Sequence, residues 1–209
     1  MKLTFLQKRY LEDLKFISKK LKKYNPFVFY GTLLGITREK NLIKNDDDVD
    51  VLVDFKYKKK VISKLNKVKN FKMNKNISNK YFIQFINNKD NVKTFIDFYF
   101  FINNKDKKYI IEKHNWLSTI NSRAHEIHIP KKLIFPLKKI KGFQNIYFPN
   151  QCEKLCNFLY GDSWRLPLKK NTGYRMEIVN NRPKLIRRSF LGSITRLMKS
   201  YFEKILYKL

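Results

Sequence analysis

The segment YGTLLGITREKNLIKNDDDVDVLVD, residues 30–54, contains the strongest structural signals in the chain. It follows an aromatic and β-branched run, residues 27–30, which is typical of a β-strand. Gly31 and Thr32 then turn the chain into a segment that can open a helix, whose free backbone N–H groups can face an anion. A second apolar run, residues 49–53, ends the segment. The pattern predicts a strand, a turn into a short helix and a second strand.

Two carboxylates stand at the start of this second strand. Asp48 and Asp50 alternate with Val49 and Val51, and residues two apart in a strand share a face. Carboxylates held side by side repel each other unless a cation lies between them, and oxygen ligands suit Mg²⁺ or Mn²⁺. A phosphate-accepting turn beside a cation-holding carboxylate pair predicts a phosphoryl-transfer site.

Other interpretations of the acidic run compete with this one. Acidic runs are commonly solvated turns without a metal, and that alternative stays open. An EF-hand calcium loop beginning at Asp46 would need Gly at its sixth position and Glu at its twelfth. The chain has Val51 and Tyr57 at those positions, which excludes the EF-hand.

A third carboxylate, Asp97, lies inside the aromatic strand of residues 92–101. A carboxylate buried there without a partner would cost roughly several kcal/mol. We therefore expect Asp97 to share a metal with Asp48 and Asp50, the alternative being a lone carboxylate facing the edge of the sheet.

Several motifs together resemble the signature of the LicD family, which includes fukutin and the fukutin-related protein. They are Gly-Thr-Leu-Leu-Gly from Gly31, Arg38 three residues after the second Gly, and the Asp-Asp-Asp-Val-Asp run. Residues 95–98, 129–137, 148–150 and 160–162 extend the likeness, which covers residues 10–170. The chain departs from the family at residues 43–45, where Ile-Lys-Asn replaces Ile-Pro-Trp.

The resemblance implies an α/β nucleotidyltransferase-like fold over residues 1–184, a mixed sheet flanked by helices. It implies transfer of a phosphorylated alcohol, phosphocholine-like or an alditol phosphate, from a CDP-linked donor to a bacterial surface glycan. Lipopolysaccharide, capsule and teichoic acid are the acceptor classes. Catalysis would use Asp48, Asp50 and Asp97, which with Asp46 would hold Mg²⁺ or Mn²⁺. Substrate would contact Gly31, Thr32, Arg38, Tyr160 and Gly161.

Two other functions remain open at this point. A nucleotidyltransferase acting on a protein, a small molecule or a nucleic acid would use the same carboxylates. A non-catalytic basic protein that binds nucleic acid or membrane would account for the net charge of +29 and the isoelectric point near 10.1. Because lysine is spread along the whole chain, a compositional bias explains the charge equally well, and we do not expect nucleic acid as the partner.

The composition predicts one folded domain followed by a C-terminal appendage. In 209 residues, 43% hydrophobic and 15% aromatic content excludes a disordered chain. Without an 18-residue apolar run or a signal peptide, we expect a cytoplasmic protein, peripheral at the inner membrane face. Cys152 and Cys156 are interpreted as reduced core thiols on a helix, although half a zinc site is the alternative.

Residues 185–209 combine basic side chains with apolar residues at helical spacing. They predict a basic amphipathic helix, and residues 187–209 suit an anionic membrane surface. The alternative is a helix packed on the domain or on a second subunit.

Periodicity elsewhere predicts further elements. They are a helix over residues 3–24, a helix within 56–69, a hairpin of strands 81–86 and 92–101 joined by residues 87–91, a strand at 109–111, two short strands within 133–148, and a helix capped by Asn150 and Glu153 that stops at a left-handed Gly161.

Overall fold

A computed structural model describes residues 3–114, 125–143, 145–167 and 174–187. Helices and strands alternate up to residue 73, and consecutive strands, two helices and a final strand pair follow, with short 3₁₀ turns at Lys22–Tyr24, Phe55–Tyr57 and Asp162–Arg165. The helices are α1 (Phe5–Lys20), α2 (Tyr30–Glu39), α3 (Lys58–Leu65), α4 (Lys131–Ile134) and α5 (Cys152–Tyr160). The strands are β1 (Phe27–Val28), β2 (Val49–Asp54), β3 (Phe71–Met73), β4 (Phe82–Lys89), β5 (Val92–Asn103), β6 (Tyr109–His114), β7 (His125–Pro130), β8 (Tyr174–Val179) and β9 (Arg182–Arg187).

Seven strands form one mixed sheet around β5. The strand order is β1-β2-β5-β4-β3, with β6 paired to the end of β5 and β7 paired to β6. The β2–β5 pair is parallel and the other pairs are antiparallel, which confirms the predicted mixed sheet flanked by helices. β8 and β9 form a separate hairpin.

The aromatic residues of β5 explain its central place. Phe98 and Phe100 are completely buried, as is Phe85 on the neighbouring β4. Each such side chain contributes roughly 1.5–3 kcal/mol when it leaves water. The predicted amphipathic helix α1 buries Leu14 and Ile17 in the same core. The strongest apolar run of the sequence therefore becomes the strand to which β2, β4 and β6 all attach.

The β4–β5 hairpin is confirmed, with a shorter loop than predicted. Only Asp90 and Asn91 lie outside the ladder, because Lys89 pairs directly with Val92. Both loop residues have positive φ, 55° and 58°, as a two-residue type I′ turn requires. Asn and Asp tolerate this conformation better than other residues with a Cβ, so residues 87–89 can extend β4.

Three local predictions are wrong. Tyr30 begins α2 and does not extend β1. The cap of α5 is Gln151, and the Asn150 side chain donates instead to the Phe135 carbonyl. Part of the predicted strand pair in 133–148 is helical in α4, and residues 138 and 148 form only an isolated bridge. In each case a tertiary contact replaces the local pattern.

The proposed boundary at residues 184 and 185 falls inside β9, so residues 185–187 are strand and not helix. The Asn180-Asn181 turn has φ values of 51° and 58° and folds β9 back on β8, which overrides the helical spacing. The rest of the predicted amphipathic helix, residues 188–209, lies outside the described residues. Within the described part of the chain, every helix is too short or too polar to cross a bilayer.

Gly35 allows the loop after α2 to lie against the helix. A Cβ at this position would stand 2.8 Å from both the Asn41 carbonyl oxygen and the Ile43 nitrogen. Both atoms belong to the backbone, so neither can rotate away. The close approach sets the path of the chain from α2 to β2.

Gly35→Ala should therefore destabilise the fold, although Ala is normally the better helix former by about 1 kcal/mol. We expect a net loss of roughly 1–3 kcal/mol in the free energy of unfolding, the usual cost of overpacking. Urea denaturation will measure it. Gly31→Ala is the matched control on the same helix, because its Cβ would meet only carboxylate side chains. Equal stability of the two variants would contradict this account.

Candidate active site

Three hydrogen bonds join the start of α2 to Asp50 at the beginning of β2. The Thr32 hydroxyl accepts the Asp50 N–H at 2.8 Å, and the Thr32 N–H donates to Asp50 Oδ2 at 3.2 Å. The Phe29 N–H donates to the Asp50 carbonyl at 3.1 Å. The Gly-Thr turn predicted to face an anion therefore faces a carboxylate of the protein itself.

The parallel pairing of β2 with β5 places Asp50 directly beside Asp97. Each residue is only 5% exposed. Asp48, half-buried just before β2, completes a group whose carboxylate oxygens lie within 4.8 Å of one another. The predicted convergence of the three carboxylates is therefore present in the structure. Asp46 and Asp47 form a second acidic group with Asp48 on the adjoining loop.

The absence of a side chain at Gly31 makes room for these carboxylates. A Cβ there would lie 3.0 Å from Asp46 Oδ2 and 3.1 Å from Asp50 Oδ2. Both distances are shorter than ordinary van der Waals contacts. Geometry therefore explains why the motif has glycine at position 31, since a larger residue would push the acidic groups apart.

Burial and mutual repulsion hold protons on these acids. The pKa of Asp50 lies well above its ordinary value because of burial, and then because of the charges of Asp48, Asp97 and Asp46. Burial raises the pKa of Asp97 to about 7, although a hydrogen bond from Gln84 opposes the shift. Carboxylates in this state gain strongly from a divalent cation, because the cation replaces both the protons and the repulsion.

Gln84, which the sequence analysis did not single out, completes one polar row across the sheet. It lies opposite Asp97 in the β4–β5 register, and its Nε2–H donates to Asp97 Oδ1 at 2.9 Å. Its own carbonyl accepts the Asn74 amide at 2.9 Å. A signal was available, because Gln84 interrupts the apolar strand 81–86 as Asp97 interrupts β5.

Tyr30 and Glu112 are a second pair that the sequence analysis missed. The Tyr30 hydroxyl donates to Glu112 Oε2 at 2.8 Å, and Glu112 on β6 is fully buried. Tyr30 has a φ of 34°, a strained value for a residue with a side chain. Its ring packs edge-on against Tyr99 with a 4.8 Å centroid distance. The hydrogen bond to Glu112 and the ring contact with Tyr99 thereby fix the side chain of this strained residue, which directly precedes Gly31.

Two of the predicted substrate contacts lie at the end of α5. Burial, and then the charge of Asp50, raises the pKa of Tyr160, so its hydroxyl is within electrostatic reach of the acidic group. Gly161 has a φ of 78° and a ψ of −178°, a conformation nearly exclusive to glycine, and not the left-handed cap predicted. Space around its Cβ position is open. Their contact with substrate remains a prediction.

Arg38 lies about two helical turns beyond Gly31 on α2. Its guanidinium pairs with Glu39, with an Nη2–Oε1 distance of 2.5 Å. Among the described residues, its hydrogen bonds and ion pairs are with Glu39 alone. A role at the donor phosphates therefore remains a prediction.

The cysteines take the structural role predicted for them. Cys152 and Cys156 are buried, free thiols on α5. Burial raises the pKa of Cys156 to about 12, so this thiol stays protonated and is a poor metal ligand.

Comparison with solved structures places the chain beside a Thermotoga maritima protein described as a candidate nucleotidyltransferase. Identity is 11%, the alignment covers 97% of this chain and 92% of the other, and the TM-score is 0.31. At that score the likeness supports no conclusion. No curated protein sequence matches the chain significantly.

The family comparison is decisive. The family described as LicD/FKTN/FKRP, nucleotidyltransferase domain, matches residues 24–150, more than half of the chain. That span runs from β1 to the loop before α5 and contains all three clustered carboxylates, together with Gly31 and Thr32. The chain is therefore a transferase of the LicD/FKTN/FKRP family.

Proposed function

We propose that the protein transfers a phosphorylated alcohol, phosphocholine-like or an alditol phosphate, from a CDP-linked donor to a hydroxyl of a bacterial surface glycan. The observation that carries this proposal is the group formed by half-buried Asp48 and buried Asp50 and Asp97, whose carboxylate oxygens lie within 4.8 Å of one another. Membership of the LicD family supports the choice of a phosphotransferase. The acceptor would be part of a lipopolysaccharide, a capsule or a teichoic acid.

A divalent cation, Mg²⁺ or Mn²⁺, fits this donor set. Three carboxylates, two of them buried and partly protonated in its absence, are hard oxygen ligands of the type these ions prefer. Asp48, Asp50 and Asp97 would hold the ion, with Asp46 as an additional ligand. When bound, it would neutralise charge on the donor diphosphate.

The remaining roles belong to the protein's own groups. Gly31 leaves room for the carboxylates of Asp46 and Asp50 and would contact the donor phosphate, while Thr32 keeps Asp50 oriented through its N–H and hydroxyl. Asp97 would also help to deprotonate the acceptor hydroxyl. Arg38 would offset negative charge that develops on the donor, and Tyr160 would contact substrate beside Asp50.

A screen of CDP-linked alcohols with Mg²⁺ tests the proposal most directly. Release of CMP, dependent on a glycan acceptor, is the expected result. A nucleotidyltransferase acting on a protein, small molecule or nucleic acid would instead release diphosphate from a nucleoside triphosphate. Diphosphate release without any CMP from the CDP donors would replace the proposed reaction with that alternative.

Asp50→Asn should reduce turnover by at least about 100-fold, the scale of losing one electrostatic stabiliser at a reacting phosphate. Asn keeps the shape and still accepts the Thr32 N–H. Because Asn is neutral at every pH, whereas ionisation of the buried Asp50 is opposed by burial and by the neighbouring acids, the metal-free variant should be at least as stable as the wild type. CMP release and thermal unfolding measure the two effects. Wild-type turnover in a folded Asp50→Asn protein would exclude the mechanism.

The metal-free protein should lose stability as the pH rises from about 5 to about 7.5. The pKa of Asp97 is about 7 in the folded chain, against an ordinary value of 3.8, so the folded state binds more protons in this range. Stability then falls with rising pH, by at most about 1.4 kcal/mol per pH unit from this group. Mg²⁺ should offset the loss, because binding requires the ionised carboxylate.

Urea denaturation at pH 5.5, 6.5 and 7.5, with and without Mg²⁺, measures this dependence. Asp97→Asn is the control, since an amide does not titrate and its profile should be flatter. Parallel pH profiles for the two proteins would show that Asp97 does not carry the effect.

We also propose that residues 187–209 bring the enzyme to the inner, anionic face of the cytoplasmic membrane, where lipid-linked glycans would be accessible. Replacing Arg196, Lys199 and Lys204 by Gln in the full chain should weaken binding to anionic vesicles on the order of 100-fold, at about 1 kcal/mol per charge. The matched control replaces Lys59, Lys60 and Lys67, which are exposed on or just after α3. Equal vesicle co-sedimentation of both triple variants would reject a specific role for the C-terminal charges.

A further inference from the structure

The two buried carboxylates of the site each have one oxygen bonded to a protein donor. Asp97 Oδ1 accepts the Gln84 Nε2–H at 2.9 Å, and Asp50 Oδ2 accepts the Thr32 N–H at 3.2 Å. A hydrogen bond to a carboxylate oxygen occupies one of its lone pairs and fixes the plane of the group. The oxygen that accepts such a bond keeps one free lone pair, and the other oxygen keeps both, so each hydrogen bond favours binding of a cation through the other oxygen.

Gln84 is itself held firmly in this role. It is only 9% exposed and lies opposite Asp97 in the β4–β5 ladder. The Asn74 amide donates to the Gln84 carbonyl at 2.9 Å, which directs the other end of the Gln84 side chain, its NH₂ group, toward the carboxylate. The Gln84 backbone N–H donates to the Ser78 hydroxyl, which donates to the Asn74 carbonyl at 2.6 Å. The loop before β4 thus supports the orientation of the amide.

This arrangement bears on the identity of the cation. Ca²⁺ takes six to eight oxygen ligands and commonly uses carboxylates through both oxygens. Mg²⁺ requires six ligands at short, nearly ideal geometry and uses carboxylates through one oxygen each. A site whose buried carboxylates are biased toward binding through one oxygen each therefore suits the smaller ion.

We propose that Gln84 is a specificity-determining residue, which favours binding of the cation through one oxygen of Asp97 and so favours Mg²⁺ or Mn²⁺ over Ca²⁺. The inference rests on the metal site of the proposed function and goes beyond it. Gln84 acts through Asp97 and touches neither donor nor acceptor. A purely structural Gln84 would affect stability and leave the ratio of cation affinities unchanged.

Gln84→Met tests the inference, because Met fills a similar volume and has no N–H. Calorimetric titration of the purified full chain with Mg²⁺, Mn²⁺ and Ca²⁺ gives the three dissociation constants. We expect the preference for Mg²⁺ over Ca²⁺ to fall on the order of 10-fold, the low end of effects for groups that orient a metal ligand. Asn74→Ala, which leaves Gln84 present but less well oriented, should give a smaller shift in the same direction.

Gln151→Met is the matched control. Its amide also donates one hydrogen bond, to the Lys132 carbonyl at 3.0 Å, but at the start of α5 and not beside the carboxylates. It should retain the wild-type cation ratio. Circular dichroism confirms that each variant is folded, and Asn74→Ala still decides the question if Gln84→Met does not fold.

The outcomes separate this inference from the proposed reaction. An unchanged ratio of Mg²⁺ to Ca²⁺ affinities in folded Gln84→Met or Asn74→Ala overturns the role of Gln84, even if CDP donors are turned over. A shifted ratio without turnover of any CDP-linked alcohol supports Gln84 and rejects the reaction. A wild-type chain that binds none of the three ions overturns both.

Discussion

The reciprocal hydrogen bonding of Thr32 and Asp50 is the constraint on which the site depends. It fastens the first turn of α2 to the first residues of β2, although 17 residues separate them along the chain. Because Asp50 is also in register with Asp97, the same bonds tie the helix to the centre of the sheet. Two glycines on α2 make this closeness possible. The missing side chain at Gly31 leaves space for the carboxylates, and the missing side chain at Gly35 lets the loop between α2 and β2 pack against the helix.

The cost of this arrangement is electrostatic, and the aromatic core offsets it. Three carboxylates within 4.8 Å, two of them almost fully buried, destabilise the metal-free fold, as the raised pKa values of Asp50 and Asp97 indicate. The strained Tyr30 adds a smaller cost at the same place. Buried Phe98 and Phe100 lie on the very strand that carries Asp97. Close aromatic packing therefore surrounds an unfavourable group of charges, a common property of functional sites.

Charge is distributed unevenly between the site and the rest of the chain. The protein carries a net charge of +29, yet the site is a concentration of acidic groups. A positive field favours the approach of an anionic donor, and the acidic group would oppose its final approach unless a cation intervenes. The contrast fits a transferase whose donor carries a diphosphate. It fits less well with a basic protein that only binds anions, since such a protein gains nothing from buried carboxylates.

Much of the fold and the central acids could be predicted from the sequence. The aromatic run of β5, the alternation around Asp48 and Asp50, and the amphipathic pattern of α1 are local signals, because each reflects which side of an element is buried. Asp97 was identifiable because a carboxylate in an apolar strand requires a partner. The limits of β9 were not, because the turn at Asn180-Asn181 pairs residues 185–187 with β8, whereas the sequence assigned these three residues to the helix predicted over 185–209.

Only the tertiary structure decided how these residues meet. The β2–β5 register, the contact of α2 with β2 and the placement of Gln84, Tyr30 and Glu112 join residues that are 13 to 82 positions apart in sequence. Such contacts depend on how strands pair and helices dock, and no local periodicity encodes that pairing. The sequence by itself predicted which carboxylates would cluster. The folded chain determined which neighbours hold their oxygens, because hydrogen-bond partners are chosen by distance in space and not along the chain.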